Sequence, residues 1–190
     1  MKNGLLNDLL SPAFKNYSGI ASILEDRYAT FNEIAEADID ALSKLLPESS
    51  AATYLKLVAA LVSRRGTDRL KLGKKHSSEE IEEYLKYLFF GIGNEAVYVI
   101  SIGDGEKILS ADKVSEGTVN FSNVTPRMML EVAKKRGAKS VIIAHNHPGG
   151  YAIPSNDDTT ATALLAELFL SSGIKLIKHY VVAGNDCKTV

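Results

Sequence analysis

The stretch that most restricts what this chain can become is Val141-Ile142-Ile143-Ala144-His145-Asn146-His147-Pro148-Gly149-Gly150, followed by Ser155-Asn156-Asp157-Asp158. The apolar, mostly β-branched run 141–144, bounded upstream by Gly137, predicts a buried strand. Side chains two apart on a strand share a face, so His145 and His147 point together and Asn146 points away. Pro148 cannot donate to a ladder and ends the strand. Gly149 and Gly150 allow a tight turn. Beyond it, Ser155 is a natural N-cap, Leu164, Leu165, Leu168 and Phe169 recur at helical spacing, and Gly173 is a stop signal.

Two imidazoles and one carboxylate from the acidic helix start Asp157-Asp158 match the protein share of a catalytic zinc site, in which a fourth position stays open for water. A structural reading of the acids stands beside this one. Ser-x-x-Asp is a capping box, and acids suit a helix N-terminus for dipole reasons alone. Their delivery directly after a His-x-His strand end favours the ligand reading.

Around this core the chain divides near residues 66–77. Upstream, Ile39, Leu42, Leu45 and Leu46, then Tyr54, Leu55, Val58, Leu61 and Val62, recur at helical intervals, with Asp38 and Ser49 or Ser50 as caps. Arg64 to His76 is charged and Gly-punctuated and reads as a linker, with His76 solvated. Ser77 or Ser78 with Glu79-Glu80 opens a further helix carrying Ile81, Tyr84, Leu85 and Leu88 on one face. A strand from Glu95, a turn at Asp104-Gly105 and a return strand from Glu106 follow. Thr125-Pro126 then opens a helix that buries Met128, Met129, Val132 and Ala133 and closes at Gly137. A last strand runs from Ile174 to Val182. Alternating helices and strands predict an α/β domain at 77–190, preceded by a small helical module at 1–76.

Composition narrows the function classes. With 45% hydrophobic residues and a net charge of −1, the chain can bury a core and carries no global basic field for nucleic acid. One cysteine, Cys187, excludes an internal disulfide framework and a Cys-rich metal site. Polar interruptions after Met1-Lys2 break any signal-peptide core, and no apolar run is long enough to span a bilayer, so the expected location is cytoplasmic. Gly91-x-Gly93 precedes a strand rather than joining strand to helix, and is no nucleotide fingerprint. His179 falls in the last strand, where a supporting role is expected rather than direct ligation.

The residues His145-x-His147-Pro148 and Ser155-x-x-Asp158 resemble the core of the JAMM (MPN+) metalloproteases. The fuller run, with Glu116-Gly117-Thr118, Thr125-Pro126-Arg127 and His179-Tyr180-Val181-Val182, resembles the RadC family within that group, over roughly residues 77–190. Two departures stand out. Gly149 occupies a position where serine is common, and Lys178-His179 replaces a common Asp-His pair. The resemblance implies a JAMM/MPN-like, cytidine-deaminase-like α/β sandwich. It implies a Zn2+ site held by His145, His147 and Asp158, with Ser155 stabilising an oxyanion. It also implies an upstream catalytic glutamate, for which Glu95 is the best match and Glu116 the rival.

Residues 31–65 resemble the helical module that precedes the catalytic domain in that family. Its hairpin turn normally carries Gly-x-Gly, which lets backbone amides approach a DNA phosphate. Here the turn reads Leu46-Pro47-Glu48-Ser49-Ser50-Ala51, so weak DNA binding at most is expected. The activity implied is metal-dependent hydrolysis of a peptide or isopeptide-linked protein. The alternative is a DNA-repair-associated accessory or scaffold protein with a structural or vestigial metal site. The zinc-deaminase pattern and the His-Glu-x-x-His helix are both absent.

Overall fold

Capping and burial explain where the helices fall in the computed structural model, which describes residues 4–117 and 125–190; Thr118 of the Gly-Thr landmark lies outside the described residues. The helices α1 (Leu5–Leu10), α2 (Tyr17–Arg27), α3 (Phe31–Glu36), α4 (Ile39–Leu45) and α5 (Ser49–Thr67) come first. They close around Leu6, Leu10, Ile20, Leu24, Ile34, Leu42 and Leu55, a buried cluster of their own. Thr30 caps α3 and Asp38 caps α4 through side-chain oxygens. Ser49 and Ser50 do not cap α5: Glu48 takes the N-cap position without a side-chain bond. Because α4 runs to Leu45 and Leu46 is buried, only Pro47 and Glu48 remain for the turn, and the serines fall inside the helix.

The expected linker is shorter and more ordered than its composition suggests. Arg64 to Thr67 belong to α5. Helix α6 (Ser78–Phe89) starts at a full capping box between Ser77 and Glu80. The linker is tied to the following sheet: Gly73 N–H donates to Ile108 O at 2.8 Å, and Ile108 N–H to Lys74 O at 2.9 Å. His76 is not solvated. Its side chain is 8% exposed, with Nδ1 3.4 Å from Glu80, and Nε2 lies 3.0 Å from Lys71 O. The capping box turns Glu80 back towards the ring, which lines one cavity with Leu70 and Tyr84.

Five strands form one sheet in the order β2-β1-β3-β4-β5. They are β1 (Glu95–Ile102), β2 (Ile108–Gly117), β3 (Ser140–Asn146), β4 (Lys175–Ala183) and β5 (Asp186–Thr189); α7 (Pro126–Lys135) precedes β3, and α8 (Asn156–Ser171) joins β3 to β4. The pair β3/β4 is parallel, while β1/β2, β1/β3 and β4/β5 are antiparallel. The return strand begins at Ile108 rather than Glu106, because a single 3-10 turn takes Asp104–Glu106. The last expected strand proves to be a hairpin: β4 ends at Ala183, and β5 pairs back with Cys187 opposite Val182.

Helices cover both faces, giving the α/β sandwich expected. Ala96, Tyr98, Ile100, Ile142, Ala144 and Tyr180 pack against Ile81, Leu85 and Phe89 of α6. Val97, Val99, Val141 and Ile143 pack against Met129 and Ala133 of α7 and Leu165 and Phe169 of α8. Strands buried on both sides read as unbroken apolar runs. Met128, expected in the core beside Met129, is instead 44% exposed in the first turn of α7. Leu164 is also exposed, leaving Leu165 and Phe169 to anchor α8.

Candidate metal centre

The α7/α8 face of β3 turns polar at its carboxyl end. Val141 and Ile143 are buried against the helices, and His145 is next on that face. Across the β3–α8 connection, Ser155 caps α8, and its hydroxyl accepts from Asp158 N–H while donating to Asp158 Oδ2 at 2.7 Å. The sheet-facing stripe of α8 runs Asp158, Thr162, Leu165, Phe169, so Asp158 and Thr162 are its polar end.

His145, His147 and Asp158 converge. His145 Nε2 lies 3.1 Å from His147 Nε2 and 3.1 Å from Asp158 Oδ1. His147 Nε2 lies 3.6 Å from Asp158 Oδ2. Their ligand atoms all fall within 4.8 Å of one another, and among the described residues no other His, Cys, Asp or Glu joins the group. Two atoms each 2.0–2.1 Å from a tetrahedral ion stand about 3.3 Å apart. The separations therefore fit a bound metal. His145 is 3% exposed and Asp158 4% exposed, whereas the His147 ring reaches solvent.

The hydrogen bonds behind the rings favour the ligating tautomer. His147 Nδ1 lies 3.2 Å from Tyr151 O, which can only accept, so Nδ1 carries the proton and Nε2 is free. His145 Nδ1 lies 2.9 Å from His179 Nε2. His179 Nδ1 lies 2.6 Å from Thr162 Oγ1, and Thr162 Oγ1–H donates to Asp158 O at 2.6 Å. Read backwards, the Asp158 carbonyl fixes the Thr162 hydroxyl as an acceptor towards His179. His179 then donates through Nδ1 and accepts at Nε2, which places the His145 proton on Nδ1 and turns the Nε2 lone pair towards His147 and Asp158. Burial, reinforced by His145 and opposed by Asp158, pushes the His179 ring down to about 3, so it is neutral as this chain requires. Burial raises the Asp158 carboxyl, but a proton between it and His145 Nε2, in the place a cation would take, together with the Ser155 hydroxyl and amide, outweighs burial and holds it well below the usual carboxylate range. Three such acceptors face one another at low cost only when a proton or a cation lies among them.

Asn146 faces away, as expected from the strand period. Its Oδ1 accepts from Ala96 N–H at 2.8 Å, and its Nδ2 donates to Ile92 O and Asn94 O. It thereby staples the segment leading into β1 to the ligand strand.

Sheet register separates the two candidate glutamates. Val97 pairs with His145 and packs on the α7/α8 face, so Glu95, two residues earlier on the same strand, shares the face of the histidines. Glu116 pairs with Ala96, which packs on the α6 face. There Lys113 Nζ donates to Glu116. Ser155 is placed beside Asp158 but its one proton is engaged by that carboxylate, so meeting an oxyanion requires it to exchange that bond. Thr162 and the Tyr151 carbonyl were missed in the sequence. Thr162 was findable, one helical turn after Asp158 on the same face; the Tyr151 carbonyl carries no signal.

Residues 75–189 match the family model described as the RadC-like JAB domain. A UPF0758 protein of Fusobacterium nucleatum is 32% identical over 182 residues, covering 90% of this chain and 78% of that relative. One from Finegoldia magna is 39% identical over 92 residues, 48% of this chain and 41% of the relative. One from Janthinobacterium sp. (strain Marseille) is 27% identical over 179 residues, 93% and 80% respectively. No helix among the described residues is long and apolar enough to cross a membrane. A helix-flanked sheet with His145, His147 and Asp158 gathered at one strand end, together with this match over more than half its length, places the chain in the RadC family, as a protein with a RadC-like JAB domain.

Proposed function

We propose that this protein is a zinc-dependent hydrolase acting on an amide bond of a peptide or an isopeptide-linked protein. The observation that carries this is the convergence of His145 Nε2, His147 Nε2 and the Asp158 carboxylate, each held from behind so that its lone pairs face the others. A structural zinc is closed by four protein ligands, whereas three are the mark of a site that keeps a position for chemistry. Zinc held there by His145, His147 and Asp158 would supply an acidified water and a Lewis acid for the scissile carbonyl. Glu95, exposed at the start of β1 on the same face, takes the proton of the attacking water and returns it to the leaving amine. Ser155 orients Asp158 and, by turning its hydroxyl, donates to the developing oxyanion. The partly exposed His147 side lets a substrate chain reach the centre.

The test is metal stoichiometry. Reconstituted protein is expected to retain about one zinc per chain, and His145→Ala or Asp158→Ala to retain none. Wild-type protein without zinc after reconstitution would refute the reading.

A further inference from the structure

The metal-site loop is held by a residue that lies outside the JAB domain. Gly149, two residues beyond His147, donates its N–H to Glu36 Oε2 at 3.1 Å, across 113 residues of sequence. Glu36 is the last residue of α3. A carboxylate at a helix C-terminus opposes the helix dipole, so local structure does not favour it there. Burial raises its pKa, against the hydrogen bonds from Asn32 and Gly149. Its second oxygen accepts from Asn32 Nδ2 at 2.6 Å. Asn32, Glu36, Asn146 and His147 line one small gap between α3 and the sheet.

The same helix end touches the other flank of the centre. A Cβ on Gly93 would lie 2.1 Å from Glu36 O, a backbone atom that cannot swing aside. Only glycine lets α3 close this far onto the turn that feeds β1. That turn leads to Glu95 and is stapled to β3 by Asn146. The end of α3 thus abuts the glutamate-bearing strand through Gly93 and the ligand loop through Gly149.

We infer that Glu36 is a positioning residue of the metal centre, through which the N-terminal helices hold the His147–Gly150 turn in its ligating shape. The inference rests on the metal reading of His145, His147 and Asp158. Its consequence is that the helical region helps to build the site. A movement of α3 alters metal binding without touching a ligand.

Four variants test it: Glu36→Ala, Glu36→Gln, Glu33→Ala and Gly93→Ala. Zinc affinity is read by competition with a chromophoric chelator, ligand geometry by the visible spectrum of the Co2+-substituted protein, and the loop by hydrogen exchange at Gly149. Glu36→Ala is expected to weaken zinc by up to about tenfold, the low end of what loss of a group bonded directly to a ligand causes, since Glu36 holds the loop two residues beyond His147, to change the Co2+ spectrum and to speed exchange at Gly149. Glu36→Gln is expected to rescue all three. Its carbonyl still accepts from Gly149, and its amide meets Asn32 Oδ1, a buried atom without a hydrogen-bond partner among the described residues, once the Asn32 amide turns over. Gly93→Ala, which pushes α3 away, is expected to follow Glu36→Ala. Glu33→Ala removes the hydrogen bonds from Ala29 N–H and Thr30 Oγ1 in the α3 cap and a like charge near Glu36, but leaves the Glu36–Gly149 bond in place, and is expected to lower thermal stability with the Co2+ spectrum unchanged. Wild-type affinity, spectrum and exchange in Glu36→Ala overturn the inference, and so does a Glu33→Ala protein that reproduces the Glu36→Ala changes. If wild-type protein takes up no metal, the metal reading fails by itself, and the exchange rate at Gly149 still decides the clamp.

Discussion

Replacing Thr162 by valine keeps the shape of the side chain and removes one hydroxyl, so it isolates the relay behind His145. That hydroxyl accepts from His179 Nδ1 at 2.6 Å and donates to Asp158 O at 2.6 Å. The His179 ring is 2% exposed, so water cannot replace the lost acceptor. Taking an acceptor away from a buried N–H costs about 1–3 kcal/mol. The ring can avoid this cost by moving its proton to Nε2, but that nitrogen faces His145 Nδ1. His145 must then carry its own proton on Nε2, where a metal would bind, and the metal has to displace it. Either way the penalty reaches the site. The expected result is a zinc Kd weaker by about tenfold, equivalent to about 1.4 kcal/mol, in a protein that still folds. Chelator competition at fixed pH, alongside thermal unfolding of the apo protein, measures both quantities. Thr162→Val with wild-type zinc affinity and wild-type apo stability would refute the relay.

Glu95→Gln is expected to keep zinc while lowering peptide hydrolysis by about 10²–10⁴-fold, the usual contribution of a positioned acid–base group; zinc analysis and a cleavage assay on one preparation check this, and full activity would point away from Glu95. Arg136 donates through Nε and Nη2 to the two carboxylate oxygens of Asp112 and holds its carboxyl below the usual range. Because the folded pKa is depressed, this pair stabilises the fold above the unfolded carboxylate's pKa and ceases to do so as pH falls through the folded value. Asp112→Asn should therefore lower stability slightly near neutral pH and change nothing at the acid end of a denaturation series. Nucleic-acid binding should be weak and without sequence preference. Of the basic residues nearest the helical hairpin and linker, Arg64 already pairs with Asp68 and Lys75 with Glu106. Submicromolar binding by fluorescence anisotropy at about 150 mM salt would overturn that expectation and favour the DNA-associated reading.

Local rules carried the sequence reading as far as they reach. The strand ending in His145-x-His147 follows from β-branched content and a period of two. The starts of α6, α7 and α8 follow from Ser77, Thr125 and Ser155, whose side chains cap backbone amides within three residues. These interactions span one turn, so the sequence states them directly; the strand brings the candidate ligands His145 and His147, while the choice of Asp158 over Asp157 came from the family resemblance. The Gly184-Asn185 turn before β5 was equally local and was overlooked.

The rest depended on which segments meet. The choice between Glu95 and Glu116 shows this most clearly. Uninterrupted pairing from Tyr98↔Lys113 would bring Glu116 opposite Glu95, on the face of the histidines. The ladder instead slips between Val97 and Tyr98, where Val97 pairs with Ser115 and Val114 is the extra residue. That bulge turns Glu116 to the α6 face, beside Tyr98 and Lys113. One inserted residue reverses every later side chain on a strand, and nothing in Lys113-Val114-Ser115-Glu116 announces it. The His145–His179 bond needs β3 and β4 side by side, and the Glu36–Gly149 bond needs the helical region docked on the sheet. The sequence by itself therefore determined the strand end and the helix cap that carry the candidate ligands, because a strand period and a helix cap are set by neighbours along the chain. The tertiary structure alone decided which glutamate shares their face and what holds them from behind, because those relations are set by packing between segments far apart in sequence.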